Sequence, residues 1–147
     1  MAAIRRASAV WEGDLMNGRG TVSAGSSNLF TELPVTWASR TEEEPGGKTS
    51  PEELLAAAHA CCFAMALSHG LATSGTPAER LRVSAAVTFD RMEGGFRVMS
   101  SALSVRGRVP GLDVAGFQKA AETARDGCPV SQALKNNVRL SLDAALE

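Results

Sequence analysis

The polar positions nearly vanish along residues 49–70, where between Leu54 and Leu67 only His59 is polar. A helix with no solvated face is a buried helix, so this stretch is predicted as one long core helix. Its start is signalled by Ser50 at the N-cap, Pro51 at the first helical position and Glu53 three residues after the cap. Gly70 is the predicted stop, because glycine takes the left-handed conformation that closes helices. About 20 residues at ~1.5 Å each span roughly 30 Å, enough for a small domain or a bilayer. The Ala-rich run, with Ser50, Glu52, Glu53, His59 and His69 interrupting or flanking it, favours the domain core.

Elsewhere the pattern alternates. Ala7, Ala9 and Trp11 lead into a turn region with Gly13, Asp14 and Asn17-Gly18, predicting a hairpin over 5–26, and residues 29–38 read as a further extended piece. A polar, glycine-rich loop follows at 42–48, with Arg40 just upstream. Val83, Ala85, Val87 and Phe89 alternate with Ser84, Ala86, Thr88 and Asp90, and Glu93-Gly94-Gly95 turns the chain into a second long strand ending near Val109. Asp113 caps a second helix whose Val114, Phe117, Ala121 and Ala124 share one stripe, and Gly127 closes it. Cys128-Pro129 opens a short third helix, and Val138, Leu140 and Leu142 make a last strand. The expected fold is α+β, in the order β-β-β-α-β-β-α-α-β, with antiparallel sheet covering the long helix. A helix apolar all round needs more cover than these strands supply, so a second copy of the chain is expected to complete it.

The 147 residues, 44% of them hydrophobic, fit a single domain over 1–147. Fifteen basic against sixteen acidic residues leave a net charge of -1, which argues against nucleic acid or an anionic membrane as partner. The N-terminus lacks the apolar core of a signal peptide, and the expected location is cytoplasmic. There, cysteines more often serve redox or metal chemistry than structural disulfides.

Three cysteines bring in that chemistry. Cys128 falls at the N-cap of a helix, where backbone N–H groups and the helix dipole stabilise a thiolate. Paired with a cysteine of the central helix, it reads as a resolving thiol that captures a sulfenic acid as a disulfide before further oxidation. On the helical wheel, at about 100° per residue, His59 lies about 20° from Glu52, Cys62 about 80° and Cys61 about 180°. Cys62 therefore shares the side of the polar groups, and Cys61 points to the apolar side, where its reactivity is suppressed. Glu52 and Cys62 are about 15 Å apart along the axis, so Glu52 acts through a bridging group if it acts at all. An arginine fork suits that role, binding a carboxylate bidentately while stabilising a thiolate.

Gly-Lys-Thr-Ser-Pro-Glu-Glu-Leu-Leu-Ala-Ala-Ala-His-Ala-Cys-Cys-Phe-Ala-Met-Ala-Leu at 47–67, Gly-Cys-Pro-Val-Ser-Gln-Ala-Leu at 127–134 and Trp-Glu-Gly-Asp near the start resemble the OsmC/Ohr family of organic hydroperoxide reductases, closest to its OsmC branch. The resemblance implies an OsmC-like fold, an intertwined homodimer whose central helices are covered by strands of both chains, and thiol peroxidase chemistry in oxidative stress defence. By position, Cys62 matches the peroxidatic cysteine, Cys128 the resolving one, and Glu52 the carboxylate that holds an active-site arginine. The OsmC branch points to Arg40 as that arginine; the Ohr branch would point to Arg19. No cofactor or metal is implied, only an external dithiol reductant, which in the family can be a lipoyl-bearing protein. Cys61 departs from the small residue usual before the reactive cysteine.

Two other readings compete. His59, Cys61 and Cys62 are close in sequence but lack the four-ligand, Cys-rich spacing of a structural zinc site, and His59 reads as a satisfied core or interface histidine. A non-catalytic dimer module that binds an apolar ligand is the alternative of a different class.

Overall fold

The computed structural model describes residues 1–147 as two compact units, Met1–Pro51 and Glu52–Glu147. In the first, β1 (Ala7–Glu12), β2 (Arg19–Ala24) and β3 (Leu33–Val35) form an antiparallel sheet in the order β1-β2-β3. The hairpin is as expected. The extended segment is shorter than expected, because Thr36 caps a helical turn, α1 (Trp37–Thr41). The Thr36 hydroxyl accepts from the Ser39 amide at 3.1 Å, and the Ser39 hydroxyl accepts from the Thr36 amide at 3.0 Å, a capping box with serine where glutamate is usual. Arg40 therefore sits on a helix and not at the edge of a loop.

The second unit is built on α2 (Pro51–Thr73), followed by β4 (Arg80–Met92), β5 (Gly95–Arg108), α3 (Val114–Gly127), α4 (Pro129–Leu134) and β6 (Arg139–Leu146). The α+β class stands, and α1 adds one helix to the expected order. Helix α2 passes through Gly70 and ends at Thr73. Gly75, at φ +84°, closes it in a Schellman motif: its amide bonds to the Ala72 carbonyl at 3.1 Å and the Thr76 amide to the Leu71 carbonyl at 3.0 Å.

Strands β4 and β5 pair antiparallel, with a register shift at Thr88/Phe89, but β6 pairs parallel to β5. This corrects the purely antiparallel expectation. Helices α3 and α4 carry the chain back across the sheet, and such a crossover is what a parallel neighbour requires.

The core gathers Phe63, Leu67 and Leu71 of α2, Leu103 and Val105 of β5, and Phe117, Ala121 and Ala124 of α3. These contacts make α2 a core helix, although its 23 residues are long and apolar enough to satisfy the length and composition of a membrane span. Its burial is one-sided within this chain. Glu52, His59, Phe63, Leu67 and Leu71 are buried, whereas Ala57, Ala58, Cys61, Met65 and Ser68 form an exposed stripe.

Candidate active site

The inner face of α2 meets the junction of α3 and α4 at Cys128. This residue caps two helices at once: its amide bonds to the Ala124 carbonyl at 2.9 Å, closing α3, and its sulfur accepts from the Ser131 amide at 3.3 Å, opening α4. A thiol in the N-cap slot leaves Cys128 fully buried. Cys62 is half-buried and packs against the core cluster that contains Cys128. Burial pushes the Cys62 thiol up from its usual value, the contact with Cys128 pushes the same way, and the backbone amide of Val130 opposes both. A thiol so placed needs a cation nearby to become a ready nucleophile.

Cys61 is exposed, on the outer stripe of α2. The wheel correctly separated the two thiols but not their surroundings: in this chain the all-apolar side faces outward, and the side with the polar groups is the one that packs.

Of the other expected residues, Glu52 is buried in the first turn of α2, and Arg40 is half-buried on α1 with its guanidinium 6.0 Å from the centre of the Trp37 ring. Arg19 is exposed on β2 and pairs with Glu12 at 3.5 Å. Arg40 and Arg19 belong to the first unit, Glu52 and the cysteines to the second. No group of three or more His, Cys, Asp or Glu side chains is placed to hold a metal ion.

Three residues at this centre escaped the sequence reading as participants. His59 is fully buried; its Nδ1 lies 2.7 Å from the Ser101 hydroxyl of β5 and its Nε2 2.8 Å from the Ser131 hydroxyl of α4. Ser131 in turn lies 3.2 Å from the Cys128 sulfur. Burial holds the His59 imidazole below its ordinary value, so it is the neutral ring that sits between the two serines. The signal was available in part: a lone polar residue in an apolar helix must find partners for both ring nitrogens. Which serines supply them depends on β5 and α4 meeting over α2, which no local pattern states.

A groove of about 570 Å³ runs beside this centre between α2 and α3, lined mostly by apolar atoms of Ala66, Leu71, Leu112, Ala120 and Ala124 and stopping short of both thiols.

The family model described as OsmC-like protein matches residues 44–143. Peroxiredoxin OsmC of Escherichia coli strain K12 is 40% identical over 140 residues, covering 95% of this chain and 96% of that protein. The organic hydroperoxide resistance protein of Xanthomonas axonopodis pv. citri is 32% identical over 102 residues, 68% of this chain and 69% of that one. In fold, the crystal structure of an organic hydroperoxide resistance protein from Elizabethkingia anophelis matches with a TM-score of 0.75 at 23% identity, over 100% of both chains. With a matching family model over most of its length and a relative at this identity along nearly all of it, the chain belongs to the OsmC-like protein family.

Proposed function

We propose that this chain is a thiol peroxidase that reduces organic hydroperoxides to alcohols. The observation that carries the reading is the packing of Cys62 on α2 against the buried core cluster that holds Cys128 at the start of α4, two thiols far apart in sequence that become neighbours in the fold. The names of its relatives, a peroxiredoxin and an organic hydroperoxide resistance protein, support the same class. In the proposed cycle the Cys62 thiolate attacks the peroxide, the O–O bond breaks, an alcohol leaves, and Cys62 carries a sulfenic acid. Cys128 condenses with it to a disulfide and releases water, and an external dithiol resets both thiols.

Arg40 and Glu52 are assigned on family position, Arg40 as the cation that offsets the burial of the Cys62 thiol and Glu52 as the carboxylate that orients an arginine. The half-burial of Arg40 favours it over the exposed Arg19. Apolar surroundings favour an organic hydroperoxide over hydrogen peroxide. The cycle uses thiols alone, and its reductant is a dithiol of a reducing cytoplasm, with a lipoyl-bearing protein as the candidate. The groove between α2 and α3 keeps the ligand-binding module as the second reading, but that reading leaves the paired thiols unexplained.

The test is intact mass and disulfide mapping after one equivalent of cumene hydroperoxide. The wild type is expected to form a Cys62–Cys128 disulfide and Cys128→Ser to retain a Cys62 sulfenic acid. Thiols that stay reduced in both would end the peroxidase reading.

The functional form is proposed to be a homodimer. The exposed stripe of α2 includes Met65 at 68% exposure, and an apolar stripe on a core helix is a surface that a second copy can cover. Sedimentation at micromolar concentration should give the mass of two chains; the mass of one would count against the dimer.

A further inference from the structure

The proposed cycle gives no role to His59, yet the imidazole is tied to the resolving thiol through one hydroxyl. Taken in the direction in which each proton has a single acceptor, the Cys128 thiol donates to Ser131 Oγ. The Ser131 hydroxyl then donates to His59 Nε2, and His59 Nδ1–H to Ser101 Oγ. His59, Ser101 and Ser131 are each at most 1% exposed, so water does not compete for these bonds.

We propose that His59 is a positioning residue for the resolving step, taking the proton of the Cys128 thiol through the Ser131 hydroxyl as the disulfide closes. The inference rests on the Cys62–Cys128 pairing proposed above and adds the base which that pairing lacks. A thiol attacks as its thiolate, and Cys128 is sealed from bulk base, so its proton needs an acceptor inside the protein. In the step, the Cys128 S–H proton passes to Ser131 Oγ while the Ser131 proton passes to Nε2. The thiolate then attacks the Cys62 sulfur, the S–S bond forms, the S–O bond of the sulfenic acid breaks, and hydroxide leaves. The imidazolium returns its proton to that hydroxide as water. Cys128 is oxidised, the sulfenic sulfur of Cys62 is reduced, and the histidine ends as it began.

Ser101 fixes the ring. By accepting from Nδ1–H it leaves the Nε2 lone pair directed at Ser131, and it remains hydrogen-bonded to the imidazolium that forms. The groups hydrogen-bonded to the ring are Ser101 of β5 and Ser131 of α4, and burial with no charged neighbour accounts for the position of its titration. A neutral imidazole therefore faces Ser131 at neutral pH. A histidine kept only for packing would be satisfied by any two hydroxyls, and it would not need one of them shared with the thiol at 3.2 Å.

The experiment isolates closure from peroxide chemistry. In a Cys61→Ser background the aromatic disulfide 5,5′-dithiobis(2-nitrobenzoate) loads Cys62, releasing one thionitrobenzoate, and attack by Cys128 releases the second; both are read by stopped-flow absorbance across pH 5.5–9. His59→Gln and Ser131→Ala are expected to leave the first release unchanged and slow the second by about tenfold or more near pH 6–7. That deficit should shrink as pH rises and hydroxide replaces the base. Ser131→Ala removes a single oxygen, so the test survives if His59→Gln does not fold. A second phase at the wild-type rate in both variants at all pH, or a slowing independent of pH, overturns the relay. Closure that depends on His59 in a protein whose Cys62 ignores cumene hydroperoxide would keep the relay and end the peroxidase reading.

Discussion

Cys62→Ser is expected to lower dithiol-driven consumption of cumene hydroperoxide by about a thousandfold or more, whereas Cys61→Ser should stay within about twofold of wild type. The two residues are adjacent, and the difference lies in what each faces. The Cys62 sulfur meets Cys128 and the Val130 amide, while Cys61 lies on the exposed stripe, away from the partner that would complete a disulfide. A serine hydroxyl in place of Cys62 does not ionise near neutral pH and cannot store the oxidation as a sulfenic acid. The pH dependence has a definite sign. Burial favours the protonated thiol, the thiolate is the reactive form, and the rate of Cys62 oxidation should therefore climb as pH rises from neutral. Equal losses in both variants, or loss only in Cys61→Ser, would move the reactive thiol to the other position.

The largest effect on stability is expected at Phe117. Its ring is fully buried in the inner stripe of α3, and it lies so close to β5 that a Cβ on Gly107 would stand 2.6 Å from its Cζ. Phe117→Ala removes the ring and leaves a cavity that helix and sheet close only in part, at a cost of about 3–5 kcal/mol. That is a large share of the roughly 5–15 kcal/mol typical of a domain. Gly107→Ala attacks the same contact from the strand side and should also destabilise. Combined with Phe117→Leu its cost should fall, because the two positions share one space and their effects do not add. Urea midpoints of the single and double variants measure this, and a cost below about 1 kcal/mol for Phe117→Ala would mean that α3 does not anchor on β5 through this ring.

Periodicity located the β4–β5 hairpin, the α3 stripe and the long α2 because their signals are local: alternation of period 2, a stripe of period 3.6, and a run with almost no polar residue. The cysteine at the start of α4 was legible for the same reason, since Cys128-Pro129 before an apolar turn reads as a helix start. What stayed hidden depended on partners distant in sequence or on an unusual residue in a familiar slot. Helix α1 was missed because Ser39 replaces glutamate in its capping box. Gly70 misled because a glycine can sit inside a helix whose packing holds it, and the left-handed turn fell to Gly75 instead. The direction of β6 is fixed by the crossover through α3 and α4, which alternation within β6 does not encode. The inner and outer faces of α2 could not be told apart by hydropathy, since alanines occupy both.

Between Cys62 and Cys128 run β4, β5 and α3, so a disulfide between them would close a loop through most of the second unit. Cross-linking so long a loop restricts the unfolded chain, a stabilisation of about 4 kcal/mol on loop-entropy grounds. The proposed disulfide would then also be a temporary staple. The chain would be most resistant to unfolding and to proteolysis while it waits for its reductant, and most easily turned over when reduced. In the proposed cycle an accumulating oxidant would in this way lengthen the lifetime of the chain that it oxidises.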